Sequence, residues 1–345
     1  MKTGKTPHDL LKRLLSSISI ENERVLVGPA PGEDAAAVAV GGRLVVASID
    51  PITFASDLIG WYAVQVNAND IAVMGAKPAW FLAAVLLPED AAPALAESIF
   101  GQMLAACNEL DIALIGGHTE VTHGLERPLV VGAMLGETER VIESKGAREG
   151  DCLILTKGVA VEGTALLARE ADERLRAAGV GEETVARAKE LLFKPGISVV
   201  REALLAAETG LVHAMHDPTE GGLATAVHEL AEAAGLGAEV RIDTVRVLPE
   251  TAAICGALGL DPMGLLASGA LLIAVAPGDC ERVADALRAS KTDAACIGSL
   301  VSRGQGVIMN RNGRMGPLPR FDRDELARFL TGSQPERRSA DHSQE

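Results

Sequence analysis

Four acidic side chains near the start of the chain each stand beside a small-residue turn or an apolar run. Glu33 and Asp34 end the segment GPAPGED, Asp50 ends the run LVVASID, and Asp70 lies within VNANDIAVMGAKP. Hard cations such as Mg²⁺ take oxygen ligands and are usually held by one or two carboxylates together with substrate phosphates. The types and order of these residues therefore predict a magnesium–triphosphate site.

Asp34 and Asp50 flank a predicted β-hairpin. Its strands, 35–40 and 44–49, are joined by a glycine pair, which suits a two-residue turn. Asp34 opens the hairpin and Asp50 closes it, so both lie at one end of the strand pair. Two neighbouring carboxylates repel each other, and a divalent cation relieves that repulsion. The alternative is that both aspartates only begin turns, and the spacing leaves both readings open.

Asp70 and Asn67 fall within a helix predicted over 57–74. They share one face of that helix with the apolar residues Ala63 and Met74. A carboxylate within a buried helix is costly unless it is paired or bound to metal. The alternative is that Asp70 points to solvent. A face that mixes polar and apolar residues is more typical of a site lining than of a packed core.

A glycine pair and three further polar residues follow the strand predicted at 111–115. Gly116 and Gly117 would let backbone N–H groups approach phosphates closely. In an extended segment His118 and Glu120 would share a face. Together with His123 they form an alternative, transition-metal set.

The segment HDPTEGGLATAVHEL at 216–230 predicts a helix that begins with small residues. Thr219 is the expected N-cap, with Gly221 and Gly222 in the first turn, a geometry that binds anions. Asp217 precedes the helix and could hold a cation or a substrate donor. The alternative is plain helix capping. Three histidines are predicted to be structural, namely His213, His216 and His228.

Composition excludes several classes of protein. The chain has 345 residues, 48% of them hydrophobic but only 3% aromatic, and a net charge of −15. The acidic surface and the scarcity of aromatic platforms argue against nucleic acid and anionic lipid as partners. The five cysteines are dispersed and contain no CxxC pair, which indicates reduced thiols. With no signal peptide or apolar membrane span, we expect a cytoplasmic protein.

The apolar pattern restarts near 143–158, which predicts a boundary between two domains. A short amphipathic helix is expected within 1–18. The other elements predicted in the first half are strands near 79–86 and 128–136 and a helix near 91–110. In the second half, helices are predicted near 162–173, 183–193, 197–208, 220–235 and 322–331, and strands near 238–242, 270–276, 293–299 and 306–309. The polar tail after the last helix is expected to be disordered.

Taken together, these segments resemble the PurM-type ATP-binding superfamily, which contains aminoimidazole ribonucleotide (AIR) synthase, thiamine-monophosphate kinase, selenophosphate synthetase and the hydrogenase-maturation protein HypE. GEDAA is similar to the family's GDDAA, NANDIAVMGAKP to NDLAMMGA-P, and IGGHTE to its GGDT or GGET loop. HDPTEGGLA is similar to the RDPTRGGLA of HypE. The motifs occur in order in both halves, and the resemblance is AIR synthase-related and HypE-like.

The resemblance implies a two-domain α+β fold. The N-terminal ATP- and Mg-binding domain would cover 1–146, the C-terminal α/β domain 147–332, and the disordered tail 333–345. The N-terminal sheet would pair with its twin to form a dimeric barrel, so a homodimer is expected. Implied metal ligands are Asp34, Asp50, Asp70 and Glu120; implied catalytic residues are Asp50, Asp70 and Asp217; implied ATP-binding residues are Glu33, Asp34, Asn67, Gly116, Gly117, Thr219, Gly221 and Gly222.

The implied activity is ATP- and Mg²⁺-dependent transfer of the γ-phosphoryl group to an oxygen of a small-molecule acceptor. The sequence ends without the terminal cysteine of HypE, so we expect a diffusible acceptor and no self-modification. His118 replaces the aspartate of the GGDT loop, and Glu120 could substitute for it. Two alternatives stay open: a catalytically silent nucleotide-binding regulatory or maturation subunit, and a thiamine-monophosphate kinase, although its GEDYEL segment is missing here.

Overall fold

A computed structural model describes residues 4–321 and 323–332, which form two layered units with one β-sheet each. The first sheet has six strands in the order β1-β2-β3-β6-β4-β5, and all neighbours are antiparallel except β4 and β5. The elements of this unit are α1 (His8–Ser16), β1 (Val25–Val27), β2 (Ala36–Val40), β3 (Arg43–Ile52), α2 (Ile59–Val73), β4 (Lys77–Leu87), α3 (Pro93–Glu109), β5 (Ala113–Val121) and β6 (Leu129–Thr138).

The predicted hairpin is present as β2 and β3. Gly41 and Gly42 both have positive φ, 57° and 83°, as a two-residue primed turn requires. Helix α2 covers one face of the sheet and is buried along almost its whole length. It lies so close to β6 that a Cβ at Gly132 would collide with the side chain of Asn67. This close packing holds the polar residues of α2 directly over β3.

The face of the first sheet opposite α2 is apolar and incompletely covered. Phe81 and Val85 of β4 point towards α2 and are fully buried, whereas Leu82 and Leu86, which follow them in sequence, are half-buried on the other face. On β3, Ile49 is 66% exposed. An apolar second face of this kind is typical of a sheet that packs against another layer.

The second sheet has seven strands in the order β13-β12-β9-β11-β7-β10-β8, and only β9 and β12 are parallel. Strand β10 is buried throughout. The elements of this unit are β7 (Cys152–Thr156), α4 (Val161–Glu170), α5 (Asp172–Ala177), α6 (Glu182–Glu190), α7 (Val200–Glu208), β8 (Val212–His216), α8 (Gly222–Ala234), β9 (Gly237–Arg241), α9 (Pro249–Leu258), β10 (Leu272–Val275), α10 (Cys280–Ala289), β11 (Ala294–Val301), β12 (Val307–Arg311), β13 (Arg314–Pro317) and α11 (Glu325–Leu330).

The two units are joined through a buried amide. Helix α2 packs against α7. Between them the Asn69 side chain donates to the carbonyl of Ile197 at 2.9 Å and accepts from the N–H of Val199 at 2.8 Å. Because both hydrogen bonds are buried, each stabilises the junction more reliably than a surface contact would. The junction fixes the second unit relative to the polar face of α2.

Most predicted elements are present, and several differ from their predicted bounds. The helix expected at 162–173 is divided between α4 and α5, and β5 runs through Gly116 and Gly117 instead of ending before them. Helices α9 and α10 and strands β1, β8 and β13 were not predicted. The last helix is shorter than predicted, and the tail predicted to be disordered, 333–345, lies outside the described residues. None of the described helices combines the length and the apolar composition needed to cross a bilayer.

Candidate functional site

Four aspartates from both units converge at their junction. Asp34 precedes β2, Asp50 lies in β3, Asp70 lies in α2, and Asp217 directly follows β8. They are close enough that the charges of the other three all raise the pKa of Asp70. We call these four residues, together with the neighbouring His216, the acidic pocket. Of the predicted site residues, the structure gathers these four from separate segments of the chain.

Asp70 points into the acidic pocket. It is only 5% exposed, and Ser48 Oγ donates to its Oδ2 at 2.7 Å. Burial raises its pKa well above the ordinary value, and the negative charges of Asp50 and Asp217 raise it further. The alternative in which Asp70 faces solvent is therefore wrong. A carboxyl held in this way would gain free energy from a bound cation.

Asn67 forms the wall between α2 and β3. Its Oδ1 accepts from the N–H of Asp50 at 2.9 Å, and its Nδ2 donates to the carbonyl of Asp50 at 3.3 Å and to that of Ala63 at 2.8 Å. The amide is therefore used to fix the backbone of β3. Burial raises the pKa of the Asp50 side chain to about 6, although the nearby Lys5 opposes that rise.

Asp217 is the most buried carboxylate of the acidic pocket. Its side chain is 1% exposed, and neither carboxylate oxygen has a hydrogen-bond partner. Burial raises its pKa to about 7; the charge of Asp34 adds to the rise, and that of His216 opposes it. Leaving both oxygens of a buried carboxylate without partners is costly. The carboxylate is therefore positioned for a cation or a donor that binds from the pocket.

His216 links the two units across the pocket. Its Nδ1 lies 2.7 Å from Asp34 Oδ2, and its Nε2 lies 3.2 Å from Glu229 Oε2. Burial lowers its pKa, but Asp34 and Glu229 outweigh that effect and the pKa is raised well above the ordinary value. One ligand atom from each of Asp34, His216 and Asp217 lies within 4.8 Å of the other two. The sequence predicted a purely structural role for His216, whereas the structure places it beside the aspartates.

The N-terminal segment contributes a cation that no motif indicated. Lys5 Nζ donates to Glu229 Oε1 at 3.1 Å, and the Lys5 backbone N–H donates to Glu220 Oε2 at 2.8 Å. Helix α1 then docks on α8, where Lys12 pairs with Glu232 at 3.1 Å. Partial burial of the Lys5 side chain opposes its charged form, but the charges of Glu229 and the other surrounding carboxylates outweigh it and raise the pKa of Lys5. A positive charge is thereby held at the rim of the acidic pocket.

The backbone N–H at the start of α8 is capped by a carboxylate of the protein itself, that of Asp324. The N-cap of α8 is Gly221, so the prediction that Thr219 caps this helix is wrong. The Gly221 N–H donates to Asp324 Oδ2 at 2.7 Å, and the other oxygen of Asp324 accepts from Leu326 at 2.7 Å. Burial raises the pKa of Asp324 to about 7. An internal carboxylate therefore occupies the anion-binding position at this helix end.

Gly221 and Gly222 are required by the backbone itself. Their φ angles are 82° and 63°, in the left-handed region that glycine adopts without strain. A Cβ at Gly222 would also lie 2.5 Å from the carbonyl oxygen of Met263. The two glycines allow a tight turn that brings the 263–265 segment against the start of α8. Asp217 lies four residues before Gly221, between the end of β8 and this turn.

Glu33, the residue before Asp34, contacts the segment between the two units. Its Oε2 accepts from the N–H of Ser144 at 3.3 Å. Burial raises its pKa, and backbone hydrogen bonds from Ser144 and Lys145 oppose the rise. The side chain therefore ties the turn before β2 to the segment that enters the second unit.

Gly116 and Gly117 of this chain lie far from its acidic pocket, contrary to the prediction that they bind phosphate there. Asp50 of β3 pairs with Gly132 of β6, which pairs with Ala83 of β4. Ala83 in turn pairs with Gly117 of β5. Three strand spacings separate Asp50 from Gly117, or about 14 Å. A Cβ at Gly117 would collide with the carbonyl of Ala83, so this glycine allows close strand packing.

Glu120 belongs to the same edge strand. It accepts from Thr122 Oγ1 at 3.0 Å and pairs with His118 at 3.2 Å, which confirms that His118 and Glu120 share a face. His123 pairs instead with Glu89 at 2.8 Å. Two side chains of the alternative transition-metal set therefore pair with each other, and the third pairs with Glu89.

The acidic pocket suits a hard divalent cation. Four carboxylates from separate elements face one space, and Asp217 has two unused oxygens. Carboxylate oxygens are the ligands that Mg²⁺ prefers, with phosphate oxygens and water completing its coordination. Asp34, Asp50, Asp70 and Asp217 are the residues that could hold such an ion.

Comparisons with known proteins agree in both units. Residues 32–138 match the N-terminal domain of AIR synthase related protein, and residues 148–310 match its C-terminal domain. The chain is 30% identical to a protein of Methanocaldococcus jannaschii that is named for hydrogenase expression and formation, over 89% of this chain and 91% of that protein. It is 29% identical to carbamoyl dehydratase HypE of Cupriavidus necator, over 81% and 80%.

A solved structure of HypE in complex with ATP has the same fold. It superposes with a TM-score of 0.69 over 94% of this chain and 98% of that one, at 22% identity. The match confirms the α+β, two-domain, PurM-like architecture that the motifs predicted. The chain belongs to the AIR synthase-related, HypE-like family of enzymes.

Proposed function

We propose that this protein is an ATP- and Mg²⁺-dependent enzyme that transfers the γ-phosphoryl group of ATP to an oxygen of a small-molecule acceptor. The observation that carries the proposal is the Asp217 carboxylate, buried among Asp34, Asp50 and Asp70 with both oxygens unpartnered. A solved relative of the same fold binds ATP. A pocket of four carboxylates would repel triphosphate unless a cation came with it.

The residues of the pocket would then act by positioning and by charge. Asp34, Asp50, Asp70 and Asp217 would hold Mg²⁺, which neutralises charge that develops on the phosphates. Lys5 at the rim would add a positive charge beside the phosphates. His216, held by Asp34 and Glu229, would keep Asp34 oriented. Phosphoryl transfer needs little covalent help from a protein. Residues that position the phosphates and neutralise their charge are therefore the types that the reaction requires.

The first acceptor to test is a carboxamide. HypE relatives are carbamoyl dehydratases, and phosphorylating a carboxamide oxygen turns it into a leaving group. The balanced reaction converts a primary carboxamide and ATP into a nitrile, ADP and phosphate. The amide oxygen leaves with the phosphoryl group, and the two amide protons are released to the bulk or to phosphate.

Binding can be tested by calorimetric titration of ATP with and without Mg²⁺. We expect tight binding only with Mg²⁺, and we expect Asp217→Asn to weaken it at least about tenfold. Asp111→Asn is the matched control, because Asp111 is 88% exposed and pairs with Lys77 at the sheet edge. Equal binding with and without Mg²⁺ would contradict the proposal.

Turnover can be tested by supplying carboxamides, ribotides and thiamine monophosphate with ATP and Mg²⁺. A carbonyl oxygen labelled with the heavy isotope should appear in the phosphate that is released with ADP. Unlabelled phosphate would mean that water is the acceptor. Binding of Mg·ATP without any turnover across the panel would favour the alternative, a silent nucleotide-binding subunit, and transfer to thiamine monophosphate would favour the kinase.

We also propose that the chain is a homodimer through the open face of the first sheet. Ile49 is 66% exposed there, beside the half-buried Leu82 and Leu86. Covering such a face with its twin removes apolar surface from water. Light scattering should give a dimer for the wild type and a monomer for Ile49→Asp. Met315→Asp is the control, since Met315 is 53% exposed on the second unit. A monomeric wild type would contradict the proposal.

A further inference from the structure

Three of the five cysteines converge on the second sheet, far from one another in sequence. Cys152 begins β7, Cys280 begins α10, and Cys296 lies in β11. Their sulfur atoms all lie within 4.8 Å of one another. We call these three residues the cysteine cluster. The dispersed spacing in the sequence, with no CxxC pair, gave no sign of it.

The cluster depends on a bulge in β11. This strand pairs with β7 so that Cys296 lies opposite Ile154, and the register shifts between Cys296 and Gly298. A bulge re-aims the side chains on the strand that carries it. A Cβ at Gly298 would collide with the carbonyl of Glu239 on β9, so glycine is needed there. The Cys296 thiol then reaches the carbonyl of Gly298 at 3.5 Å.

The cluster can be reached from solvent. Cys280 is buried at 5% exposure, whereas Cys152 and Cys296 are half-buried. Cys280 is also the first residue of a helix of 10 residues, and burial raises the pKa of its thiol, so the thiol keeps its proton until an ion displaces it. The three sulfurs therefore form a shallow site with one side open to solvent.

We propose that the cysteine cluster binds one thiophilic divalent cation, of which Zn²⁺ is the reference. A Zn–S bond of about 2.3 Å in tetrahedral geometry places sulfurs roughly 3.8 Å apart. Side-chain rotation alone can bring three sulfurs that lie within 4.8 Å of one another to that spacing. The open side leaves the fourth position to water or another exchangeable ligand. This proposal does not depend on the proposed ATP chemistry.

Charge favours a divalent ion over Cu⁺. Binding replaces three thiol protons, so three protons are released and three thiolates meet the ion. With Zn²⁺ the complex carries one net negative charge, and with Cu⁺ it carries two. Arg241 Nη2 donates to Cys296 Sγ at 3.4 Å and to its carbonyl at 3.0 Å. Its single positive charge balances the zinc complex and leaves the copper complex negative.

The test uses the full chain, reduced and kept under inert gas, titrated with Co²⁺ and then with Zn²⁺. Thiolate ligation gives a sulfur-to-cobalt charge-transfer absorption that oxygen and nitrogen ligands do not give. We expect that absorption to saturate at one equivalent, to be lost on adding one equivalent of Zn²⁺, and to be unchanged in Asp217→Asn. Because Asp217→Asn changes only the acidic pocket, an unchanged band in this variant would show that the cobalt ion is bound at the cysteine cluster.

The variants Cys152→Ser and Cys296→Ser replace half-buried thiols and are expected to fold, which circular dichroism checks. Each should weaken Zn²⁺ binding by more than about tenfold. Cys107→Ser is the matched control, because Cys107 is buried in α3 outside the cluster. Absence of the charge-transfer band, or an equal band in Cys152→Ser, would overturn the proposal. Stoichiometric Cu⁺ binding without Zn²⁺ binding would overturn the divalent assignment.

Discussion

The acidic pocket and the cysteine cluster are two sites of opposite chemistry within one chain. The pocket collects carboxylates from β3, α2 and the segments before β2 and after β8, so it exists only when both units are in place. The cluster collects thiols from β7, β11 and α10 of the second unit alone. Oxygen ligands suit hard cations, and thiolates suit soft ones. The two sites should therefore be loaded, and emptied, independently.

The largest expected effect is the loss of Mg·ATP binding at the acidic pocket while metal binding at the cysteine cluster is retained. Asp50→Asn and Asp70→Asn each remove a charge from the acidic pocket, so each should weaken Mg·ATP binding at least about tenfold. Cobalt bound to the cysteine cluster should give the same charge-transfer band in both variants. Calorimetry and absorption on the same samples check this. Unchanged Mg·ATP affinity in both variants would remove these carboxylates from the site.

A smaller effect is expected when the tethered cation is removed. Lys5 pairs with Glu229 at the pocket rim and is 44% exposed. Lys5→Met should therefore raise the Kd for Mg·ATP about two- to fivefold, the range of a solvent-screened ion pair. Lys12→Met is the control, because Lys12 pairs with Glu232 farther along α8. If both variants bind equally well, Lys5 only anchors the N-terminal segment.

At the cysteine cluster the corresponding test is Arg241→Gln. The charge of Arg241 offsets the net charge of the proposed zinc complex, so its loss should weaken Zn²⁺ binding about threefold, an effect of the size of a surface ion pair. Mg·ATP binding should not change. Competition with a chromophoric chelator measures the zinc affinity. A stronger zinc affinity in Arg241→Gln would show that its guanidinium opposes the ion.

The smallest effect concerns pH and the cap of α8. Burial raises the pKa of Asp324 from 3.8 to about 7. A raised carboxyl pKa gives stability that is fully present below about pH 4 and is lost as the pH rises through about 7. Asp324→Asn cannot ionise, so its melting temperature should fall less between pH 5.5 and pH 8 than that of the wild type. Parallel melting curves against pH would show that Asp324 titrates normally.

The sequence predicted the acidic pocket better than any other part of the molecule. Asp34 and Asp50 were placed together by a hairpin whose glycine turn is unambiguous, and Asp70 stood out as a charge within an apolar helix. Asp217 stood beside a glycine pair. In each case a local pattern singled out the residue and left a structural alternative open, and only the fold of both units brings the four aspartates together.

Contacts between distant segments were not predictable in this way. Lys5 reaches Glu229 only because α1 docks on α8, and His216 meets Asp34 only across the junction of the two units. The cysteine cluster depends on strand order and on a bulge, which no periodicity reports. The prediction that Gly116 and Gly117 bind phosphate failed because their local pattern has two structural meanings. A glycine pair indicates both a phosphate loop and close strand packing, and here the strand continues through it.

Both ends of the described chain meet at the loop that carries Asp217. Lys5 reaches Glu220 from the start of the chain, and Asp324 reaches Gly221 from near its end, 103 residues away. During synthesis the chain emerges from its N-terminus. The loop therefore acquires its cap only after residue 324 has left the ribosome. A nascent chain that stops before residue 324 would carry all four aspartates, yet it would lack the contact that sets the loop in place.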